Sequence, residues 1–199
     1  MTERVFALLT GLILITFSLA AGEPNGLRKA PELAFEVPGQ GQKLLSQYRG
    51  KVVALEFIFT TCPHCQAASK VMTKFQQEFG PKGFQAIDIA VNDNADLLVE
   101  HFSKDYQVGF PVGWTNRDQM ISFMGFSSSY FVVPQFVLID RKGYIHYQTP
   151  AKEDENWDKL MKEDAIRQHI EELLSPSSSA SRSTPAAGAN RIAYSKKRS

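Results

Sequence analysis

Short apolar runs alternate along the chain with longer segments in which apolar residues recur at helical spacing. This alternation predicts an α/β domain in which strands and helices follow one another. The strongest strand signal covers residues 51–59, KVVALEFIF, where near-continuous apolar residues indicate a strand buried on both faces. A helix is predicted directly after it over residues 63–80, and its apolar face contains Val71, Met72, Phe75 and Phe79.

The remaining elements follow from the same patterns and from turn residues. Strands are predicted near residues 33–37 and over residues 83–91, 134–140 and 144–148, with further helices over residues 95–106, 117–124 and 153–174. Residues 141–143, Arg-Lys-Gly, predict a hairpin turn between the last two strands. Together these elements predict a sandwich with a mixed central sheet and helices on both faces.

Cys62 and Cys65 are the only cysteines of the chain, and they stand where the buried strand is predicted to meet its helix. At a helix N-terminus, unpaired backbone N–H groups and the positive dipole end stabilise a thiolate. We therefore expect Cys62 to be the attacking sulfur and Cys65, inside the helix, to be the resolving one. Pro63 suits the first helical position, where its missing N–H costs nothing. His64 either stabilises the Cys62 thiolate or is a solvent-facing spacer.

Glu56 is the only carboxylate within the predicted buried strand. A buried carboxylate is unfavourable unless it is paired or functional. One interpretation is that Glu56 reaches a strand edge or a lysine. The other is that Glu56 is a proton acceptor beneath the cysteines, because burial would raise its pKa and let it take the proton of Cys65.

Residues 54–65, ALEFIFTTCPHC, resemble the active site of the thioredoxin superfamily. The Cys-Pro-His-Cys sequence is typical of DsbA-type oxidants, and Glu56 matches an acidic position that those proteins carry. The resemblance implies a thioredoxin-like domain over residues 30–174.

The rest of the domain resembles the TlpA/ResA group of exported thioredoxin-like proteins. Its A-P-x-x-x-F start at residues 30–35 and the sequence PQFVLID at residues 134–140 carry this resemblance, with Gln135 where threonine is common. The resemblance implies a cis peptide bond before Pro134, with this proline facing the cysteines. The backbone of Val133 would then be available to bind an extended substrate strand.

Residues 127–133 follow no regular pattern and consist of three serines followed by Tyr-Phe-Val-Val. TlpA-like chains usually have a shorter link at this point. The segment is either a loop that shapes a substrate groove beside the active site or a variable surface loop.

These observations predict an enzyme, a thiol–disulfide oxidoreductase that acts on protein thiols or disulfides and needs no cofactor or metal. The DsbA-like active-site residues favour oxidation, whereas the TlpA/ResA-like domain favours reduction, for example in cytochrome c maturation. Three other classes are weaker alternatives. A zinc site would need two further ligands, a copper chaperone would use a C-x-x-x-C spacing, and a redox-inert binding module would leave the cysteines unused.

The sequences at the two ends of the chain indicate where the protein is located. Residues 1–22 are mostly apolar and end in small residues, which predicts a secretory signal peptide or an N-terminal membrane anchor. Residues 23–29 are predicted to be a linker, and the basic, serine-rich residues 175–199 a disordered tail. Both alternatives place the domain in the periplasm or otherwise outside the cytosol, either free or anchored to the inner membrane. There, a membrane redox partner would return the cysteine pair to its starting redox state.

The overall charge argues against one further class of function. The formal net charge is only +1, and the domain has no basic stripe with interleaved aromatic residues. We therefore expect no nucleic-acid partner.

Overall fold

A computed structural model of the chain describes residues 26–175. The predicted signal segment, the first three residues of the predicted linker and residues 176–199 of the predicted tail lie outside the described residues. Between residues 26 and 175, no helix is both long and apolar enough to cross a membrane.

A mixed β-sheet of seven strands forms the centre of the described domain. The strands are β1 (Ala34–Val37), β2 (Gly41–Leu44), β3 (Val52–Ile58), β4 (Phe84–Ala90), β5 (Val112–Trp114), β6 (Gln135–Ile139) and β7 (Ile145–Gln148). Their order across the sheet is β2-β1-β5-β4-β3-β6-β7. β3 runs parallel to β4 and antiparallel to β6, so the sheet is mixed as predicted.

The two central strands are buried along their whole length, which explains their near-continuous apolar sequences. All seven residues of β3 and all seven of β4 are buried. Residues 41–44 pair with β1 as the edge strand β2. Gly39 and Gly41 have φ values of 71° and 69° in this hairpin, a conformation that favours glycine.

Five α-helices cover the two faces of the sheet within the described residues. They are α1 (Pro63–Phe79), α2 (Ala95–Asp105), α3 (Arg117–Met124), α4 (Glu155–Leu160) and α5 (Glu163–Leu174). α1 and α5 pack on one face, where Phe75 and Ile170 join the apolar cluster of Ala54. α3 packs on the other face, where Phe123 contacts Phe57 edge-to-face with ring centroids 5.7 Å apart.

The prediction of a single closing helix over residues 153–174 is wrong, because the structure has two helices in this segment. Lys162 has extended backbone angles, φ −70° and ψ 135°, and it divides the segment into α4 and α5. α5 then lies against α1, because Arg167 makes two hydrogen bonds of 2.7 and 2.8 Å to the carboxylate of Glu78. The break lets α4 leave the axis of α5 and reach the start of α1.

Contacts of the domain begin within the segment that the sequence assigns to a linker. Lys29 forms a bridge with Tyr144, and the N–H of Ile145 donates to the carbonyl oxygen of Arg28 at 2.9 Å. The side chain of Arg28 also donates to the carbonyl oxygen of Phe123 at 3.0 Å. These bonds attach residues 28–29 to the β7 edge of the sheet.

Candidate active site

The two cysteines lie at the start of α1, directly after the buried strand β3. Cys62 is the N-cap residue, with extended φ −85° and ψ 120°, and Pro63 follows as the first helical residue. The N–H of Cys62 donates to the carbonyl oxygen of Phe59 at 3.0 Å, which closes the turn between strand and helix. The N–H of Gln66 donates to the carbonyl oxygen of Cys62 at 3.1 Å and begins the helix.

The two thiols differ in their access to solvent. Both cysteines are free, but Cys62 is partly exposed whereas Cys65 is 0% exposed. Burial raises the pKa of the Cys65 thiol well above 9.0, a backbone hydrogen bond from Phe59 opposes this, and the nearby Cys62 and Glu56 add to the rise. A substrate can therefore reach Cys62, whereas Cys65 can react only with a sulfur that is already bound at Cys62.

The backbone before Pro134 faces the first cysteine. Sγ of Cys62 lies 3.9 Å from the carbonyl oxygen of Val133. The Val133–Pro134 peptide bond is cis, as the resemblance implies. In the described part of the chain, Val133 makes no hydrogen bond to another backbone group, so its N–H and C=O can pair with an incoming strand.

Gln135 holds the segment that carries Val133. Its side chain is 0% exposed, and its Nε2 donates to the carbonyl oxygens of Val132 at 2.9 Å and Pro150 at 3.1 Å. Its Oε1 accepts a 2.6 Å hydrogen bond from the hydroxyl of Thr149. The amide thus joins the start of β6 to the chain after β7, which a threonine side chain is too short to do in this way.

A second carboxyl group accompanies Glu56 beneath the cysteines. Glu56 and Asp88 are partners in the β3–β4 ladder, and both are 0% exposed. Burial, followed by the charge of Asp88, raises the pKa of Glu56 well above 4.5. Burial also raises the pKa of Asp88 to about 7, although a hydrogen bond from Ser69 opposes this rise. Glu56 therefore faces an acid, and not the lysine or strand edge of the first interpretation.

His64 is exposed and lines an open groove beside the cysteines. The groove has a volume of about 310 Å³, and Pro134, Trp157 and Met161 are among its other lining residues. The groove therefore runs from the first turn of α1 to α4, the helix that the break at Lys162 directs toward the site.

Residues 127–133 also lie beside the active site. The ring of Phe131 contacts that of Phe59 edge-to-face at 6.1 Å, and the guanidinium of Arg117 lies 5.5 Å from the Phe59 ring centroid. Tyr130, at the tip, is 62% exposed. The end of this loop is thus fixed near the turn that carries Cys62, while its tip faces solvent.

In the described structure, the side chains of Cys62, His64 and Cys65 do not form a metal-binding group. Across residues 26–175, there is no group of three or more His, Cys, Asp and Glu residues that could hold a metal ion. The described site consists of two thiols, one accessible and one buried, above a pair of buried carboxyl groups.

Comparison with known families identifies the domain. Residues 27–148 match the AhpC/TSA family, a match that includes the cysteines, Glu56, Asp88 and β6. The chain belongs to the AhpC/TSA family. Its fold is thioredoxin-like, in agreement with the predicted mixed sheet and two helical layers.

Curated relatives of this AhpC/TSA-family protein are named as thiol-disulfide oxidoreductases or as a thioredoxin-like protein. The thiol-disulfide oxidoreductase ResA of Bacillus thuringiensis subsp. konkukian is 29% identical over 107 residues, which cover 53% of this chain and 59% of the relative. The thioredoxin-like protein YneN of Bacillus subtilis is 26% identical over 133 residues, which cover 64% of this chain and 74% of YneN. The match thus spans about three fifths of the length of this ResA relative.

Solved structures share the same fold. A Chlorobium tepidum protein described as thiol:disulfide interchange protein DsbE superposes with a TM-score of 0.61 at 25% identity, over 75% of this chain and 97% of that one. A thioredoxin-family thiol:disulfide interchange protein from Chlorobium tepidum TLS gives a TM-score of 0.62 at 18% identity, over 77% of this chain and 100% of that one. The second similarity concerns the fold alone.

The structure brings together all the site residues expected from the sequence of this AhpC/TSA-family protein. Cys62, Pro63, His64 and Cys65 form the first turn of α1, Glu56 lies in the adjacent strand, and Val133 and Pro134 face Cys62. The sequence alone did not identify Asp88 and Ser69 as neighbours of the site. Asp88 carried a usable signal, because it interrupts the apolar strand GFQAIDIAV much as Glu56 interrupts β3.

Proposed function

We propose that this protein is a thiol–disulfide oxidoreductase that exchanges disulfides with protein substrates through Cys62 and Cys65. The observation that carries the proposal is the unequal access of the two sulfurs: Cys62 is partly exposed at a helix N-terminus, and Cys65 is fully buried in the same turn. A pair that acts in disulfide exchange needs this asymmetry, because one sulfur must meet the substrate and the other must release it.

The reaction proceeds in two exchanges when the protein acts as an oxidant. A substrate thiolate attacks Sγ of Cys62 in the Cys62–Cys65 disulfide, a substrate–Cys62 bond forms, and Cys65 leaves as a thiolate that is then protonated. A second substrate thiolate attacks the substrate sulfur of this mixed disulfide and releases Cys62 as a thiolate. The substrate loses two electrons and the cysteine pair gains them, so every turnover leaves the pair reduced.

The position of each site residue indicates its role in the proposed reaction. The N-terminal end of α1 stabilises the Cys62 thiolate, and the exposed His64 adds a hydrogen bond or a positive charge when protonated. Pro63 begins the helix. Glu56 exchanges protons with Cys65, whose pKa burial raises. Val133 and Pro134 bind an extended substrate segment beside Cys62, whose Sγ lies 3.9 Å from the carbonyl oxygen of Val133.

We favour oxidation as the direction, because a stabilised Cys62 thiolate is a better leaving group and makes the pair more oxidising. Reduction, of the kind the TlpA/ResA resemblance implies for cytochrome c maturation, is the second candidate, and the matches to relatives named ResA favour it. The reduction potential of the pair in glutathione buffers distinguishes the two. A potential as low as that of reducing thioredoxins, about −270 mV, would support reduction.

The proposal includes a location and a partner. Disulfides persist in extracytoplasmic compartments, so the proposed site of action lies outside the cytosol. Because each turnover reverses the redox state of the cysteine pair, a second protein must reset it, and a membrane redox partner is the proposed one.

An exchange assay with purified protein tests the function. The wild-type protein should convert a reduced peptide with two cysteines to its disulfide, or reduce insulin, and Cys62→Ser should abolish either activity. Trp157→Phe, a change in the groove wall outside the cysteine pair, controls for general damage and should keep the cysteine pair redox-active. If Cys62 and Cys65 do not interconvert between thiols and a disulfide in glutathione buffers, the proposal is wrong.

A further inference from the structure

Two carboxyl groups lie buried beside each other beneath Cys65. Glu56 and Asp88 occupy partner positions in the parallel β3–β4 ladder, so their side chains lie on the same face of the sheet. Within the described residues, neither oxygen of Glu56 nor Oδ1 of Asp88 has a hydrogen-bond donor. Two unpaired buried anions would be very unfavourable, whereas one shared proton lets Glu56 donate to Asp88.

The groups around this pair come from four elements. α1 contributes Cys65 and Ser69, α5 contributes Glu163, and the ladder partners on β6 and β5 are the apolar Phe136 and Val112. The titratable side chains among these groups are thus the Cys65 thiol and the exposed Glu163, whose Oε1 lies 3.9 Å from Nζ of Lys74 on α1. Neither the thiol nor the acid supplies a positive charge that would stabilise two anions, and burial therefore favours the retention of at least one proton by the pair.

Ser69 links Asp88 to the helix turn of the cysteines. Its hydroxyl oxygen lies 2.6 Å from Oδ2 of Asp88 and 3.0 Å from the carbonyl oxygen of Cys65. The hydroxyl has one proton and two acceptors. When Asp88 is ionised, Ser69 donates to Asp88. When Asp88 is protonated, Asp88 donates to the oxygen of Ser69, and Ser69 donates to the carbonyl oxygen of Cys65. Asp88 therefore has a satisfied hydrogen bond at Oδ2 in either protonation state.

We propose that Asp88 is a positioning residue that serves as the second proton site of the active site, held by Ser69 and reached through Glu56. The inference rests on the proposed function and deepens it. When Cys65 resolves a mixed disulfide, its thiol gives a proton to Glu56, and the proton that Glu56 already carries passes to Asp88. The Cys65 sulfur bonds to Cys62, the bond between Cys62 and the substrate breaks, and the substrate sulfur leaves as a thiolate with the electron pair.

A small cavity offers the stored proton a route to solvent. Glu56 lines a cavity of about 50 Å³ together with Met161 and Glu163. This volume exceeds the roughly 10–15 Å³ that one water needs, and Glu56 and Glu163 are the polar residues of the lining. The cavity shares Ala68, Val71 and Met161 with the surface groove beside His64, so the carboxyl pair can return to the singly protonated state between turnovers.

The test measures the resolving step over a range of pH. A mixed disulfide between Cys62 and glutathione is prepared with oxidised glutathione, and the release of glutathione by Cys65 is followed by stopped flow from pH 5 to pH 9. Ser69→Ala removes the hydroxyl that stabilises ionised Asp88, so the midpoint of the rate profile should move upward by about one pH unit. Thr73→Ala is the matched control, because Thr73 makes the same type of bond, to the Ser69 carbonyl oxygen at 2.9 Å, without touching a carboxyl.

The double variant Asp88→Asn with Ser69→Ala distinguishes an effect that acts through Asp88 from a general effect of removing the Ser69 hydroxyl. In the Asp88→Asn background, the further change Ser69→Ala should no longer move the midpoint. An equal movement in both backgrounds, or no movement in either, would overturn the proposal. Circular dichroism establishes that each variant is folded.

A spectroscopic readout needs no exchange activity, so failure of this inference and failure of the proposed function can be told apart. Infrared spectra of protein with ¹³C-labelled aspartate should contain a carboxylic-acid C=O band that titrates near pH 7, is absent in Asp88→Asn and titrates at higher pH in Ser69→Ala. If the labelled protein lacks this band, Asp88 is not a proton site, whatever the cysteines do.

Discussion

The thiol of Cys62 lies 3.9 Å from the carbonyl oxygen of Val133, a residue 71 positions away in the chain. The sulfur that meets the substrate and the backbone proposed to bind it are therefore neighbours in space. An extended substrate segment that pairs with Val133 would carry its own sulfur close to Cys62. Reaction and binding are thus expected to occur at one place on the surface, and the predictions below test the groups that create it.

Loss of the buried sulfur should trap substrates on the exposed one. In Cys65→Ala, Cys62 can still form a mixed disulfide, but no second protein thiol can resolve it, because Cys65 is the only other cysteine. We expect covalent substrate adducts on non-reducing gels, which disappear on reduction. Adducts at Cys65 in a Cys62→Ala variant should be rare, since Cys65 is 0% exposed. Equal trapping by both variants would contradict the assigned order of attack.

The two thiols should react with alkylating agents at very different rates. Cys62 is partly exposed, whereas Cys65 is buried and its pKa is raised, chiefly by burial. The thiolate fraction falls about tenfold for each unit of pKa, so iodoacetamide at pH 7 should modify Cys65 roughly 100-fold or more slowly than Cys62. Mass spectrometry of the peptides measures both rates. In urea the difference should vanish, and a difference that persists in the unfolded chain would show that folding does not cause it.

Replacement of Gln135 by leucine should damage both stability and substrate binding. Leucine has a similar size but can neither donate to the carbonyl oxygens of Val132 and Pro150 nor accept from the Thr149 hydroxyl. The loss of these three hydrogen bonds should lower the free energy of unfolding by about 2–4 kcal/mol. The displaced Val133 should also lower kcat/KM for a protein substrate about tenfold or more.

A second buried glutamine provides the control for that change. Gln85 is 9% exposed and lies near the start of β4, at the end of the sheet away from Cys62. Gln85→Leu should lower the free energy of unfolding with kcat/KM unchanged. If Gln135→Leu loses stability with the same kcat/KM as the wild type, Gln135 has no part in substrate binding.

Stability should depend on pH through the buried carboxyl pair. Burial raises the pKa of Asp88 from 3.8 to about 7, so the folded chain keeps a proton that the unfolded chain has lost between these values. The free energy of unfolding therefore falls as pH rises through this window, by on the order of 4 kcal/mol at about 1.4 kcal/mol for each unit of pKa. Glu56, whose pKa is also raised, extends the fall to higher pH.

Urea denaturation at pH 5 and pH 8 measures this dependence. Asp88→Asn should be more stable relative to the wild type at pH 8 than at pH 5, because it has no carboxyl to ionise. Asp105→Asn, at an exposed position on α2, serves as the surface control and should follow the wild-type curve. A wild-type stability that rises between pH 5 and pH 8 would contradict the raised pKa values of the buried pair.

Local signals predicted several elements well. Helix α3 covers residues 117–124 as expected, because the side chain of Asn116 accepts a hydrogen bond from the N–H of Gln119 at its start and Gly125 adopts φ 70° at its end. The break at Lys162 was missed, because apolar periodicity continues through it and only the packing of α4 and α5 requires a change of direction.

The sequence by itself determined the alternation of strands and helices. It also determined where the cysteines lie, because a buried strand followed by Cys-Pro-His-Cys specifies a strand-to-helix turn, and all the residues of that turn are close together in the chain. Only the tertiary structure decided which groups surround those cysteines. Asp88 faces Glu56 because β3 and β4 pair in one register, and Gln135 joins Val132 to Pro150 across a hairpin. Such contacts depend on strand register and on how helices pack, and these arise from the sum of many weak interactions across the whole core, which no short stretch of sequence encodes.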